Sequence, residues 1–511
     1  MLFTDGTLPV CARLGQQHPR PIMSGFMDLP TVTAEARRRI LKGVARSPAA
    51  PDRVLHRLMR KPWAATEIAG RRQQMTEQLA TALLETGNNQ VAAALGRNRD
   101  LPTPVRWRLA AHADAKVRST AVRRFAWPPA KPGCEISVAL LTHLAADVDP
   151  EVRSEVAGHN NTPDDVRTRL ASDPVVEVRV AVATWWKTPT ADVRRALLSD
   201  PEPLVRKAAC SPWHPVPPAD LRPRLLAMAE TRPLVAPHVS LTPALAAALA
   251  RDPDEEVRAA VVGNPDLPQA LRDELAAERN ALVRYSLLVA PHTPAETRER
   301  LYEEVRAGAD DDDEWFIVDG LLPAAWMSRD LNWLRKVSPD ERLTLAGSPL
   351  AFLRCGVASW SDDLPEEAVK RLLNDPDPQV QKVAALCAAS PSAEDLERIV
   401  WEHGDHRKVR PGILGRSDFP SQAYLRFATS ERAQLRAAAA TAALPADILE
   451  KLAADVEPRV RAAAAGNPSL PLRCLAPLLA DEQRNVAEEA GASAHMPVEW
   501  MDALLAAEGM E

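Results

Sequence analysis

Six cysteines in 511 residues (Cys11, Cys134, Cys210, Cys355, Cys387 and Cys474) stand far apart, with no Cys-x-x-Cys among them. Neither a disulfide framework nor a zinc or iron–sulfur site is indicated, and a reducing compartment fits best. No run of about 18 apolar residues is available to span a bilayer, and residues 1–10 lack the basic start and apolar stretch of a secretory signal. The expectation is a cytoplasmic protein with no membrane association. Enzyme signatures are missing as well: there is no Walker loop, no dinucleotide glycine fingerprint, no His-Glu-x-x-His and no Gly-x-Ser-x-Gly. The nearest approach to a ligand cluster, His403-Gly404-Asp405-His406, has no strong third ligand and reads as a polar turn. No catalytic residue, metal or cofactor is expected. With 63 Lys+Arg against 69 Asp+Glu, for a net charge of −6, neither sign of charge dominates, which argues against a uniformly basic nucleic-acid coat.

What the chain does have is 46 prolines and a repeat. DVDPEVRSEVAGHNNTP from Asp147, DPVVEVRVAVATWWKTP from Asp173, DPEPLVRKAACSPWHP from Asp200, DPDEEVRAAVVGNPDLP from Asp252 and DVEPRVRAAAAGNPSLP from Asp455 are variants of one pattern. An apolar-Arg anchor recurs at Val117-Arg118, Val152-Arg153, Val178-Arg179, Val205-Arg206, Val257-Arg258, Val283-Arg284, Leu353-Arg354, Val409-Arg410, Leu435-Arg436 and Val460-Arg461, with weaker anchors at Val91, Val235, Val318, Val380 and Val486. The period is about 26 residues, giving about fifteen units from residue 80 onward and degenerate copies before it. Each unit predicts a short helix opening after a proline and closing at a Leu-x-x-Asp. A second helix follows, whose buried stripe is the anchor and the small residues three and four beyond it, as in Val257, Ala260 and Val261. Two such helices cannot enclose a core alone, so units must stack into a solenoid.

The pattern L-A-x-D-P-x-x-x-V-R-x-A-V-x-x-N-P-x-L-P resembles the leucine-rich repeat variant family, bacterial relatives of HEAT repeats. The resemblance covers about four fifths of the chain by the repeat register and implies an all-α, right-handed superhelix. That family includes a protein with an amino-terminal cysteine cluster holding an iron–sulfur centre. Only Cys11 precedes the repeats here, so that cofactor is not implied. The expected organisation is an irregular segment (1–35), basic degenerate repeats (36–130), regular repeats (131–300), enlarged repeats with an acidic loop (301–365), and regular repeats with a C-terminal cap (366–511).

Repeated arginines six residues after a repeated Asp (Asp147/Arg153, Asp173/Arg179, Asp252/Arg258) read as a structural ladder to the Asp of the same or the adjoining unit. Departures from the consensus carry more information. Seven to ten residues past the anchor, where plain units have Gly-Asn-Pro, stand Phe125, Trp127, Trp185, Trp186, Trp213, Trp326 and Trp360. They either cover helix ends or form a rim of anchors for a partner. Charge is uneven too: residues 1–130 hold 21 basic and 9 acidic side chains. Arg37, Arg38, Arg39, Arg71, Arg72, Arg123 and Arg124 are therefore candidate polyanion contacts. The acidic run at residues 310–314 lacks EF-hand spacing and reads as a solvated loop. Cys210, Cys355 and Cys387 occupy small-residue slots, where inert buried thiols are expected.

The expected function is a non-catalytic protein- or peptide-binding scaffold. The alternative is a nucleic-acid-binding solenoid similar to the HEAT-like alkylpurine DNA glycosylases, using residues 36–130. Nothing in the sequence sets the partner's identity or the oligomeric state.

Overall fold

The unit Thr242–Pro265 shows why these residues form two short helices and a turn. Thr242 Oγ1 accepts a hydrogen bond from Leu245 N (3.3 Å) at the start of the helix Pro243–Ala250, and proline at its first position costs no hydrogen bond. Asp254 caps the next helix, Glu255–Val261, by accepting from Glu256 N (2.9 Å). Val257 and Val261 are fully buried. The helix ends at Gly263-Asn264-Pro265, where Asn264 Nδ2 donates to Ala236 O (2.9 Å) and Val239 O (2.8 Å) of the preceding unit. One side chain thus satisfies two orphaned carbonyls at a neighbour's helix end. Asn98 and Asn467 do the same in their own units.

The computed structural model describes residues 33–123, 134–307, 329–361, 364–405 and 412–510. Among them every regular element is helical and there is no strand, so the molecule is an all-α repeat solenoid. Second helices pack closely on the second helices of adjacent units, whereas first helices are more loosely apposed. The closer spacing puts the second helices on the concave side. In the enlarged region, Val318 lies outside the described residues. The 3-10 segment Arg329–Arg335 packs on Ala351–Ala358 through buried Leu331 and Leu334, and Trp333 Nε1 donates to Val289 O (2.9 Å).

The array closes on itself. The helix Ala34–Arg46 packs against Arg484–Gly491 more extensively than any other two helices pack in the described chain. The last helix, Val498–Ala507, expected from sequence as a cap, lies against both Ala34–Arg46 and Asp52–Leu58. The described chain thus starts with a second helix and ends with a first helix, and the two together complete one composite repeat.

Two glycines make this approach possible. A Cβ on Gly43 would sit 2.1 Å from Glu488 O, and one on Gly491 would sit 2.3 Å from Ile40 O, so the two backbones cross where any side chain would hold them apart. Around the crossing, Arg37 Nε bonds Glu508 (2.6 Å), Arg57 Nη1 bonds Asp502 (2.7 Å) and Arg57 Nε donates to Met510 O (2.8 Å).

Candidate partner-binding surface

Most of the repeated charge is structural. Arg153 Nη1 donates to Asp147 O (2.9 Å) and Val148 O (3.2 Å) in its own unit, while its Nε and Nη2 hold the Asp173 carboxylate of the next unit at 2.7 and 2.9 Å. Arg118/Asp147, Arg179/Asp200, Arg354/Asp375, Arg436/Asp455 and Arg461/Asp481 repeat this two-pronged bond. The pair six residues apart meets through the Asp main-chain oxygen, and the carboxylate belongs to the arginine of the preceding unit. Arg258 accordingly pairs with Glu278, and Asp252 is held by Arg232. The bond from Arg118 holds the Asp147 carboxyl below its ordinary pKa.

One rung is different. Gln381 replaces the arginine, donating to Asp375 O (2.6 Å) and facing His403 Nε2 with its Oε1 (3.2 Å). Burial lowers the pKa of His403, and Arg398 Nη1 also reaches Gln381 Oε1 (3.5 Å). Beside it is a cavity of about 880 Å³ lined in part by His403, Asp405, Leu414, Arg432, Gln434 and Arg459. The Asp405 carboxylate accepts from Ile413 N (2.6 Å), and His406 lies outside the described residues. Among the described residues no three His, Cys, Asp or Glu side chains converge as metal ligands. Burial pushes the Cys210 thiol up to about 12 and raises that of Cys355, which suits inert core residues.

A second arginine row, unrecognised in the sequence, lies in the core. Arg106 is 0% exposed and donates to Asn98 O (3.1 Å) and Ala121 O (3.4 Å). Arg167 reaches His159 O (2.7 Å), Arg272 reaches Val262 O (2.6 Å), and Arg298 reaches Ala290 O. Burial lowers the pKa of Arg106 to about 10. The available signal was a spacing of eight between the residue ending one second helix and an arginine in the following first helix, as in Asn98/Arg106 and Asn264/Arg272.

Of the basic residues singled out as polyanion contacts, Arg37 and Arg39 bond across the ring seam, while Arg38 is exposed. Arg37 bonds Glu508, Arg39 bonds Glu35 and Glu482 O, and the Arg38 guanidinium lies 5.5 Å from the Trp63 ring. Arg72 is 6% exposed, with its guanidinium donating to Ser47 O (2.6 Å) and Ala50 O (3.0 Å), and so presents nothing to a phosphate. Arg71, paired with Glu67, and Arg123 are exposed; Arg124 is outside the described residues. The charge asymmetry has a physical cause. Residues 33–61 carry nine basic and two acidic side chains, and residues 475–511 carry eight acidic and one basic, so the complementary ends meet.

The aromatic positions divide as sharply. Trp213 is 65% exposed and Trp185 46%, whereas Trp186 is 2% exposed, with the Arg167 guanidinium 5.8 Å from its ring. Trp360 is half-buried beneath Arg335, whose guanidinium lies 4.1 Å away. Phe125, Trp127 and Trp326 lie outside the described residues. Among the described residues the expected row keeps two exposed rings, Trp185 and Trp213, in adjacent units. Leu204 (65% exposed) and Val216 add apolar surface in the same region.

Trp185 and its surroundings form a defined stripe. On the helix Val176–Trp185, Glu177, Ala181 and Trp185 share one face by helical spacing. Trp185 lies over Gly158, whose Cβ, if present, would be 3.1 Å from Trp185 Cδ1. Gly158 in turn shares a face of the helix Pro150–Gly158 with Glu151 and Glu155. Leu204 and Ala208 continue the stripe on Pro203–Ala209, with Trp213 just beyond its end.

No helix among the described residues is long and apolar enough to cross a membrane. No family model matches the chain, and no curated protein matches it. Among solved structures it is similar to one described as a leucine-rich repeat variant with a novel repetitive protein structural motif, at 23% identity over 46% of this chain and 86% of that one, with a TM-score of 0.29. It is also similar to an engineered protein, at 14% identity over 89% of this chain and 98% of that one, with a TM-score of 0.16.

Proposed function

We propose that this chain is a non-catalytic scaffold that holds a protein or peptide partner on the exposed stripe of its second helices between Glu151 and Trp213. The observation that carries this reading is the pair of exposed tryptophans, Trp185 and Trp213, at and just beyond the ends of second helices in adjacent repeats. Large aromatic rings supply contact area at little entropic cost and dominate binding hot spots. The ion pairs Arg153–Asp173 and Arg179–Asp200 tie together the repeats that carry this stripe. The nucleic-acid alternative finds less support, since Arg37, Arg39 and Arg72 are engaged within the molecule.

The test is affinity capture from native lysate with the parent chain and with the Trp185→Ala/Trp213→Ala variant, with and without nuclease. The expected result is a protein retained after nuclease and at high salt by the parent and lost by the variant. Retention that disappears with nuclease or moderate salt, and is indifferent to the tryptophans, would overturn the reading.

A further inference from the structure

We propose that the cavity beside the Gln381–His403 rung is a binding site for a monocarboxylate carried on an apolar group. At about 880 Å³ the cavity falls within the range of small-molecule pockets. One side is the end of the helix Ala393–His403 and the residues just after it, with Val400, His403 and Asp405. The other side is formed by two directly packed second helices, Ala433–Ala440 and Pro458–Ala465.

Charge is the first argument. Arg432 Nη1 donates to Trp401 O (2.6 Å) and Glu402 O (2.8 Å), which fixes the guanidinium at the helix end that walls the cavity. With Nη1 spent, the other edge of the fork makes no ion pair among the described residues. Arg459, also in the wall, is exposed and holds Glu457 only at 4.0 Å. Among the described lining residues the one acid is Asp405, whose carboxylate accepts from Ile413 N (2.6 Å). His403 adds no charge at neutral pH, since burial holds its pKa below the ordinary value. Two cations against one acid suit a monoanion better than a dianion. Among monoanions, the planar guanidinium fork matches a carboxylate, which accepts two parallel N–H donors.

The floor is the second argument. Gln434, Ala438 and Thr441 follow one another along a single face of Ala433–Ala440 and the residue past its end, and Arg459 and Ala463 share a face of Pro458–Ala465. Both arginines thus stand at the starts of their helices, where the helix dipoles also favour an anion, and the small residues lie further along. Alanine leaves the room, while Leu414, Leu435 and Val400 offer apolar contact. An anion without a tail gains the charge alone, whereas an apolar group behind the carboxylate gains the floor as well. The site lies in other repeats than Trp185 and Trp213 and stands independently of the stripe they mark.

The experiment is calorimetric titration of the full chain with phenylpropionate, its uncharged amide, acetate and inorganic phosphate. A peptide ending in Ala-Phe, with its C-terminus free or amidated, completes the set. Phenylpropionate is expected to bind at millimolar concentration or tighter, and about tenfold or more above its amide and acetate. Arg459→Gln should weaken it about tenfold, and Ala463→Phe, which fills the cavity, should remove it. Both variants should melt as the parent does, because Arg459 is exposed and Ala463 borders open space. Trp185→Ala/Trp213→Ala should bind phenylpropionate as the parent does, whatever becomes of the partner surface. Binding of the free-ended peptide but not its amide supports the site and makes its ligand a partner's chain end; phenylpropionate binding without the peptide supports it with a free organic acid as ligand. Equal binding of acid and amide, tighter binding of inorganic phosphate, affinity unchanged in both Arg459→Gln and Ala463→Phe, or no binding of either acid at about 10 mM overturns the proposal.

Discussion

Ser47 Oγ donates a 3.0 Å hydrogen bond to Ser493 O, and both residues are buried although 446 positions separate them in the chain. Ser47 precedes Pro48 at the place where Asn98, Asn264 and Asn467 stand in their units. Its bond is the seam's version of the one each of those asparagines makes to the preceding repeat. The seam therefore repeats the ordinary inter-repeat contact, with the two chain ends supplying halves of one unit. Closure removes both exposed ends of the array, which would otherwise leave apolar helix faces in water.

Gly491→Val should open the ring. The substituted side chain would meet Ile40 O at 2.3 Å from its Cβ alone, and that neighbour is backbone and cannot swing away. Stability should fall by about 1–3 kcal/mol, and small-angle scattering should show a larger radius of gyration as the ends separate. Gly263→Ala is the control, because its nearest neighbour lies at 3.4 Å. An unchanged scattering profile for Gly491→Val would contradict closure at this contact.

The ladder makes a prediction about which carboxylate answers to which arginine. In double-mutant cycles, Arg118→Gln should couple to Asp147→Asn, its partner at 2.8 Å, and each single change should cost about 1–3 kcal/mol. Coupling of Arg153 to Asp147 should be weaker, since that contact runs through the main-chain oxygen. The same rungs set an acid limit. Asp147 and Asp455 are held below the ordinary carboxylate pKa, first by the bonds from Arg118 and Arg436. At low pH the unfolded chain therefore binds more protons than the folded one. These bonds contribute fully above the unfolded pKa, about 4, and are lost as pH falls through the folded values. Urea midpoints should decline below about pH 4 and decline less in Arg118→Gln. An equal decline in both would remove the rung from the account.

The two-helix unit was legible because its markers are local: Asp254 before Glu255, the small residues after Val257, and Asn264 before Pro265 all act within one period. Ring closure was not, since it depends on Gly43 meeting Gly491, and no periodicity reports a contact between first and last units. The basic surplus at the start was visible, but its cause became clear only once Glu508 and Asp502 lay beside Arg37 and Arg57. Arg72 reads as surface charge in the sequence because arginine is rarely buried; carbonyls at the preceding helix end make its burial tolerable here. The repeat register equates Trp186 with the exposed Trp213, yet Trp186 is buried and its neighbour Trp185 is exposed. The backbone separates them, for Trp185 is the last helical residue whereas Trp186 leaves the helix at φ −83°, ψ 99° with its ring turned inward.

That division yields opposite outcomes for neighbouring tryptophans. Trp186→Ala removes a fully packed ring from beneath the Arg167 guanidinium and leaves a cavity at a helix end, so it should lower stability by about 3–5 kcal/mol while the partner surface is retained in the folded fraction. Trp213→Ala removes a ring that is 65% exposed, so its thermal midpoint should stay close to that of the parent chain. Binding should instead weaken by about 2 kcal/mol or more. Thermal unfolding and partner titration on both variants decide the matter together. A Trp213→Ala variant that unfolds early but binds normally would make this ring a helix-end cover like Trp186, and the exposed stripe would lose its anchor.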